Sequence, residues 1–275
     1  MKTIIKPSRG FNFKKIQESF EYKDLLYFLV LKEIKVLYKQ TILGFGWAIL
    51  RPVISMLIFT IIFGKVAKIP SDGIPYPIFS YVALVPWIFF ASSMTKSSQS
   101  LIANSSVFTK VYFPRIFLPI APVLAGLIDF FIALGIVFIM MIWYQMLPTI
   151  NLFFLPFLIA IMILTSSGIG FFLSALAVQY RDIRNAMQFF TQLLMYVTPV
   201  VWPLSILENK ISSTLMYLYS FYPMVGVIDG FRSVMLGSNS MPWEKIFIGF
   251  ISSLIIFFSG LIYFSSKEKI FADVA

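Results

Sequence analysis

The sequence contains neither cysteine nor histidine among its 275 residues. Without cysteine there is no disulfide framework, and without histidine the chain lacks the usual general base and the commonest metal ligand. Charged residues are also scarce, at 12% of the chain, whereas a soluble domain carries about 25%. Hydrophobic residues reach 59%, with 31 phenylalanines. This composition indicates that lipid is the main solvent of the chain.

Motifs for nucleotide binding and catalysis are missing as well. No G-x-x-x-x-G-K-[ST] phosphate loop occurs, and Gly64-Lys65 lacks both the leading glycine and the Ser/Thr. The sequence also lacks G-x-G-x-x-G, H-E-x-x-H and G-x-S-x-G. We therefore predict no catalytic residue, no metal site and no cofactor on this chain. A membrane-embedded transferase would need clustered acids, histidine or a metal site, whereas a structural scaffold is not distinguished from a transporter by sequence.

The apolar runs predict an all-α integral membrane protein with six transmembrane helices. A helix needs about 20 apolar residues to cross the hydrocarbon core. The run from 116 to 180 is too long for one helix and divides at the polar, proline-containing turn 145–151. The six predicted spans are Leu43–Gly64, Gly73–Thr95, 116–145, 152–179, Asn185–Leu207 and Ile246–Ser266.

A further uncharged stretch, Ile211–Ile228, lies between predicted spans five and six. It has only 18 residues, and serines and Pro223 interrupt it. We predict short re-entrant or interfacial helices here. The alternative is a seventh span, which would place the two termini on opposite sides of the membrane.

The distribution of basic residues predicts the orientation. One side of the six-span arrangement collects sixteen lysines and arginines and the other side five. The richer side is expected to be cytoplasmic, together with both termini. The net charge of +10 is thereby explained without a nucleic-acid partner. We predict a multi-pass membrane protein.

The first 39 residues are predicted to form a cytoplasmic arm that contains an amphipathic helix. Apolar and aromatic side chains from Phe13 to Tyr38 fall near one helical face, and lysines and glutamates cover the rest. This pattern is typical of a helix lying in the membrane plane, although a cytoplasmic helix packed on a neighbour is the alternative. The predicted domains are the arm at 1–39, the permease domain at 40–266, with its extracytoplasmic short helices at 205–240, and the tail at 267–275.

Two charged residues interrupt the predicted spans, Arg51 and Asp129. Ionisable groups inside a membrane mark ion pathways in many transporters. Asp129 could instead pair with Arg51, with a polar residue of a span or with the backbone. Two isolated charges provide little for a proton pathway, so energy from a partner subunit is favoured over an ion gradient.

Five segments in order resemble the permease subunits of ATP-binding-cassette exporters for polysaccharides and polyol phosphates, such as O-antigen and teichoic-acid exporters. Arg51 stands where the resemblance leads us to expect a neutral polar residue, and Tyr222 where asparagine often precedes the proline. The segments are YKQTILGFGWAILRP at 38–52, TKVYFPR at 109–115, VQYRDIR at 178–184, PVVWP at 199–203 and PMVGVIDGFR at 223–232.

The resemblance implies a homodimer that carries two ATP-binding-cassette ATPase subunits, which bind the ATP and magnesium. It implies that a lipid-linked polysaccharide such as O-antigen is exported across a bacterial inner membrane. Teichoic acid, capsule polysaccharide, or a small lipid or drug are the alternatives. It also implies a cytoplasmic entrance near Tyr38, Leu43, Gly44 and Arg51, and coupling to the ATPase through loops that contain Ser100, Asn104, Phe108, Arg181, Asp182 and Arg184.

Aromatic side chains are predicted to line the substrate channel. Sugars have apolar ring faces, and weak contacts at several sites suit conduction because a tight site would stall the polymer. The alternative for any one of these residues is a position facing lipid or the membrane interface. The predicted channel residues are Trp47, Phe59, Tyr196 and Trp202.

Overall fold

The protein is mainly helical in the part of the chain that the computed structural model describes, which comprises residues 22–39, 41–105, 113–180, 182–208, 210–237, 240–268 and 271. No strand occurs in these ranges. The helices are α1 (Lys23–Tyr38), α2 (Gly46–Phe59), α3 (Tyr76–Ala103), α4 (Phe117–Trp143), α5 (Leu155–Gln179), α6 (Asp182–Val197), α7 (Ser205–Glu208), α8 (Ser213–Ser220), α9 (Pro223–Leu236) and α10 (Trp243–Lys267).

Five helical segments are long and apolar enough to cross a membrane, within the described ranges. Helix α2 continues as a π-helix over Thr60–Val66, and a 3₁₀ turn at Ile150–Phe154 precedes α5. The all-helical membrane fold is thus confirmed. The five segments are Gly46–Val66, Tyr76–Ala103, Phe117–Trp143, Ile150–Gln179 and Trp243–Lys267.

The predicted fifth span, Asn185–Leu207, corresponds to a shorter helix. Helix α6 has 16 residues and ends at Val197. Thr198 precedes Pro199, and a residue before proline is disfavoured in the α conformation. The chain then turns through 198–204 before the four-residue helix α7. The count of six spans therefore stays a prediction.

The segment after α7 contains two separate helices. Helix α8 ends at Ser220, and α9 begins at Pro223, where proline suits the first helical turn. Helix α9 ends at Gly237, whose φ of +62° is the left-handed conformation common after helices. No single helix covers Ile211–Ile228, so this described stretch contains no candidate seventh span.

The core is built around α3 and α9. In α3, 78% of the most apolar window is buried, against 17–39% in the other four candidate spans. All fourteen residues of α9 are buried, and α9 packs against α3, α5 and α10. A short helix enclosed in this way keeps its backbone away from lipid, as irregular structure at membrane depth requires.

Two glycines let α5 and α10 approach closely. A Cβ atom on Gly168 would lie 2.7 Å from the Cα of Phe257, and a Cβ on Gly260 would overlap the carbonyl oxygen of Gly168. Small residues at such a seam allow backbone contact between membrane helices, where packing rather than hydrophobicity drives association.

The predicted division into arm, permease domain and tail stays a prediction. Helix α1 covers the second half of the predicted arm and packs on α4. Residues 1–21 of the arm and most of the tail lie outside the described ranges. Tyr27 and Phe28 of α1 are more than half exposed, which suits the predicted interfacial position.

Candidate functional site

A cavity of about 140 Å³ lies where α1 meets α2, α3 and α4. It brings together three of the predicted entrance and channel residues, Tyr38, Trp47 and Arg51. Its wall also contains Thr41, Ser92 and Asp129. The residues that line it come from the first two turns of α2, from the middle of α3 and from the middle of α4.

Tyr38 connects α1 to the third candidate span. Its hydroxyl donates a hydrogen bond to Oδ1 of Asp129, and its ring stacks on Phe45 at a centroid distance of 3.9 Å. Asp129 therefore has Tyr38 as a partner, and among the described ion pairs none joins it to Arg51. The guanidinium of Arg51 instead lies 5.7 Å from the centre of the Trp47 ring.

The predicted entrance loop is a compact turn between α1 and α2. The Thr41 hydroxyl donates to the carbonyl of Tyr38, and the Gly44 amide donates to the Thr41 hydroxyl at 3.0 Å. Gly44 has a φ of +50°, which a glycine adopts without the strain of a side chain. Leu43 is 45% exposed, so the turn presents an apolar side chain at the edge of the bundle.

The four predicted channel aromatics are not in one place. Trp47 lies in the cavity, and Tyr196 is 65% exposed on α6. Phe59 is partly buried and packs edge-on against Phe63. Trp202 follows α6 and stacks on Tyr219 of α8 at a centroid distance of 6.5 Å. Their role as channel residues stays a prediction.

The turn after α6 is held by buried polar side chains that the sequence did not single out. Arg232 of α9 donates to the carbonyls of Val200, at 2.7 Å, and Trp202, at 3.2 Å. Tyr76 at the start of α3 donates to the carbonyl between them, Val201, at 2.6 Å. Three successive carbonyls are thus bound from two helices. The P-V-V-W-P and D-G-F-R segments were both recognised, but their mutual contact is a tertiary relationship.

An ionic network lies beside this turn. Lys245 forms ion pairs with Glu208 and, at 3.5 Å, with Asp229. Burial raises the pKa of the Asp229 carboxyl above its usual range, while the charges of Lys245 and Arg232 oppose that rise. Burial likewise lowers the pKa of Arg232 to about 10, against the opposing effect of Asp229. The network joins α7 and α9 to the first turn of α10.

The predicted coupling residues fall in two groups. Ser100 and Asn104, at the end of α3, are buried; the Asn104 amide donates to the Ser100 carbonyl at 2.8 Å and accepts from Lys32 Nζ of α1. Asp182 and Arg184 are exposed at the start of α6. Phe108 and Arg181 lie outside the described residues.

The family model for ABC-2 type transporters matches residues 24–236. The chain belongs to the ABC-2 type transporter family. This match covers most of the chain, from α1 to the last residue of α9. The family is therefore that of membrane transport components, in agreement with the resemblance seen in the sequence.

Curated relatives of this ABC-2 family member match it almost end to end. The O-antigen export system permease protein RfbA of Myxococcus xanthus is 27% identical over 94% of this chain and 98% of its own length. A protein of the same name from Klebsiella pneumoniae is 28% identical over 91% of this chain and 95% of its own length. The polysialic acid transport protein KpsM of Escherichia coli is 25% identical over 88% of this chain and 92% of its own length.

Proposed function

We propose that this chain is the membrane permease subunit of an ATP-driven exporter that moves a lipid-linked polysaccharide such as O-antigen across the bacterial inner membrane. The observation that carries the proposal is the end-to-end match to export permeases, with family membership over residues 24–236. The match to KpsM favours a capsule polysaccharide as the second candidate substrate. Teichoic acid, or a small lipid or drug, are the further alternatives.

The permease is not itself an enzyme in this proposal. The sequence has no phosphate loop, so ATP and magnesium are bound by a separate ATP-binding-cassette subunit. Two such subunits serve a homodimer of this chain. The homodimer follows from the family resemblance. Large apolar side chains are exposed on α2 and α6, where they contact lipid or the second copy within the membrane; among them are Ile54, Leu57 and Ile58 on α2 and Phe189, Phe190 and Leu193 on α6.

A chain of contacts supports a route from the ATPase to the entrance. The predicted coupling loop follows α3, whose terminal Asn104 is bound by Lys32 of α1. Helix α1 ends at Tyr38, whose hydroxyl is hydrogen-bonded to Asp129 in the wall of the entrance cavity. Nucleotide binding that moves the loop would therefore bias α1, and with it the cavity, between two arrangements.

The substrate would pass weak aromatic contacts. Trp47 at the cavity and Tyr196 on α6 are exposed, as a side chain that stacks on sugar rings must be. Trp202 lies at the outer mouth in this arrangement, on the turn held by Arg232 and Tyr76. The short helices α7 to α9 would then shape the extracytoplasmic exit, and both termini would be cytoplasmic.

Co-purification from a glycan-producing bacterium tests the proposal. A tagged copy of this chain should recover an ATP-binding-cassette subunit in equal ratio. Deletion of the gene for this chain should leave the glycan inside the cell. Substitutions at Arg181 or Asp182 should alter the ATPase activity of the recovered complex. Recovery without any ATPase, together with normal glycan export in the deletion strain, would contradict the proposed function.

A further inference from the structure

Two basic side chains beside the entrance cavity lack an anionic partner at bonding distance. Arg51 lines the cavity, and none of the described ion pairs includes it. Lys96 lies one helical turn beyond Ser92, another cavity residue, so the i, i+4 spacing places both on one face of α3. The Lys96 ammonium is buried and makes no hydrogen bond to any group that the structure describes.

The arrangement of charges is unfavourable as it stands. A buried ammonium without hydrogen bonds is strongly disfavoured, and such groups in native proteins call for an explanation by water or an ion. Arg51 adds a second positive charge on the wall of the same cavity. Glu33 on α1 forms no ion pair with Lys96 among the described contacts. An anion between the two cations would relieve both defects.

We propose that Arg51 and Lys96 together bind the phosphate group of an anionic lipid, and that this is the phosphate-ester end of the lipid-linked polysaccharide. The identity of the ligand rests on the proposed function; the anion site rests on the two cations alone. A guanidinium offers paired donors that match phosphate oxygens, and an ammonium adds a mobile point charge.

The cavity suits one end of such a molecule. Its volume of about 140 Å³ accommodates a headgroup and excludes a polymer. Trp47 supplies an apolar wall next to Arg51. Asp129 carries the opposite charge, but it is engaged by Tyr38 and would repel a second anion, which directs the phosphate toward Arg51 and Lys96.

Binding of a short polyprenyl diphosphate tests the site without requiring transport. Farnesyl diphosphate is titrated into the full chain in phosphatidylcholine nanodiscs, with calorimetric detection. We expect Arg51→Gln and Lys96→Met to weaken binding about 10-fold or more, because each removes a charge-assisted hydrogen bond. Lys65→Gln is the matched control, since Lys65 is an exposed cation at the other end of the same span. Unchanged affinity in both variants would overturn the proposal.

Thermal unfolding of the ligand-free protein provides an independent readout for Lys96. Lys96→Met removes an unpartnered buried charge, so its midpoint should rise above that of the wild type, and the rise that farnesyl diphosphate induces in the wild type should be lost. A lower midpoint for the ligand-free variant would show that Lys96 is satisfied by the protein itself, and would overturn the proposal.

Two further probes identify the source of the phosphate. Inorganic diphosphate that binds as tightly as farnesyl diphosphate, with the same loss in the variants, would support the anion site and overturn the lipid assignment. Competition by phosphatidylglycerol in the nanodisc would support an anion site for phospholipid and overturn the glycan assignment. A chain that binds the probe but recovers no ATPase contradicts the proposed function and leaves the anion site standing.

Discussion

The guanidinium carbon of Arg232 lies 3.7 Å from the centre of the Phe79 ring. This contact joins α9 to α3, the two most enclosed helices of the bundle. The face of the ring favours a cation, and desolvation strengthens the attraction. Together with the hydrogen bonds to the carbonyls of Val200 and Trp202, it makes a buried arginine the point at which the turn at 198–204, α3 and α9 meet.

Replacement of Arg232 by methionine should destabilise the protein severely. The change leaves two carbonyls of the turn at 198–204 without the donors that Arg232 supplies and removes a positive charge that faces Asp229. Loss of one partner from such a buried network costs about 3–5 kcal/mol. Denaturant titration in detergent micelles, followed by tryptophan fluorescence, measures the change. Arg184→Met is the control, because Arg184 is exposed and its replacement should change stability by less than about 0.5 kcal/mol.

The glycine seam between α5 and α10 predicts a contrast between two Gly→Ala variants. In Gly168→Ala the new methyl group would lie 2.7 Å from the backbone of Phe257. Overpacking of this kind costs about 1–3 kcal/mol. Gly135 on α4 is exposed and has nothing within 4 Å of a Cβ. Gly135→Ala should therefore be neutral or slightly stabilising, because alanine is the better helix former. Equal stability of the two variants would contradict the close approach of the helices.

The hydrogen bond between Tyr38 and Asp129 predicts energetic coupling between α1 and α4. Tyr38→Phe removes the donor and Asp129→Asn removes the carboxylate. A double-mutant cycle on unfolding should return a coupling energy of about 1 kcal/mol or more, since the bond involves a partly buried carboxylate. Tyr27→Phe, on the exposed side of the same helix, should show no coupling with Asp129→Asn. Additive effects for Tyr38 and Asp129 would remove the contact from the proposed route to the entrance.

The aromatic channel predicts a loss of export without a loss of assembly. Trp47 is 41% and Tyr196 65% exposed, so replacing either with alanine should leave folding and ATPase recovery intact while reducing glycan export. Surface glycan is measured by immunoblot against the amount of membrane-inserted chain. Trp143→Ala is the control, because Trp143 is 84% exposed at the end of α4 and was not placed in the channel. Unchanged export in alanine variants of all four predicted channel residues would defeat the aromatic-channel hypothesis.

The sequence predicted the membrane spans correctly where an uncharged apolar run is long enough to cross the bilayer and is bounded by polar residues. Five of the six predicted spans correspond to candidate spans of the structure, because uncharged segments of sufficient length form helices in lipid. The predicted span Asn185–Leu207 extends ten residues beyond the helix found there, which ends at Val197. Hydropathy does not register the break after Val197, where Pro199 and the hydrogen bonds of Arg232 and Tyr76 shape a turn.

Some residues of the candidate sites were grouped correctly from the sequence, whereas their contacts with distant residues were not predicted. The resemblance grouped Tyr38 and Arg51 at an entrance, and the cavity contains both together with Trp47. The partner of Asp129 was left open, because residues 91 positions apart in sequence meet only through packing. The sequence did not indicate that the Lys96 ammonium is buried without a hydrogen bond. In the sequence, Lys96 counts only as one of the basic residues that predict the membrane orientation, and its burial depends on the packing of the helices.

The most direct test of the proposed function is side-specific labelling of single cysteines, which shows on which side of the membrane each loop lies. The chain has no native cysteine, so Ser106→Cys, Asp182→Cys and Leu215→Cys can each be probed with a membrane-impermeant maleimide in intact cells and in inverted vesicles. The account predicts that positions 106 and 182 are labelled only from the cytoplasmic side and position 215 only from outside. Labelling of 106 and 182 from opposite faces would contradict coupling of both loops to one ATPase, and labelling of 215 from the cytoplasm would contradict the predicted span Asn185–Leu207 and with it the count of six spans.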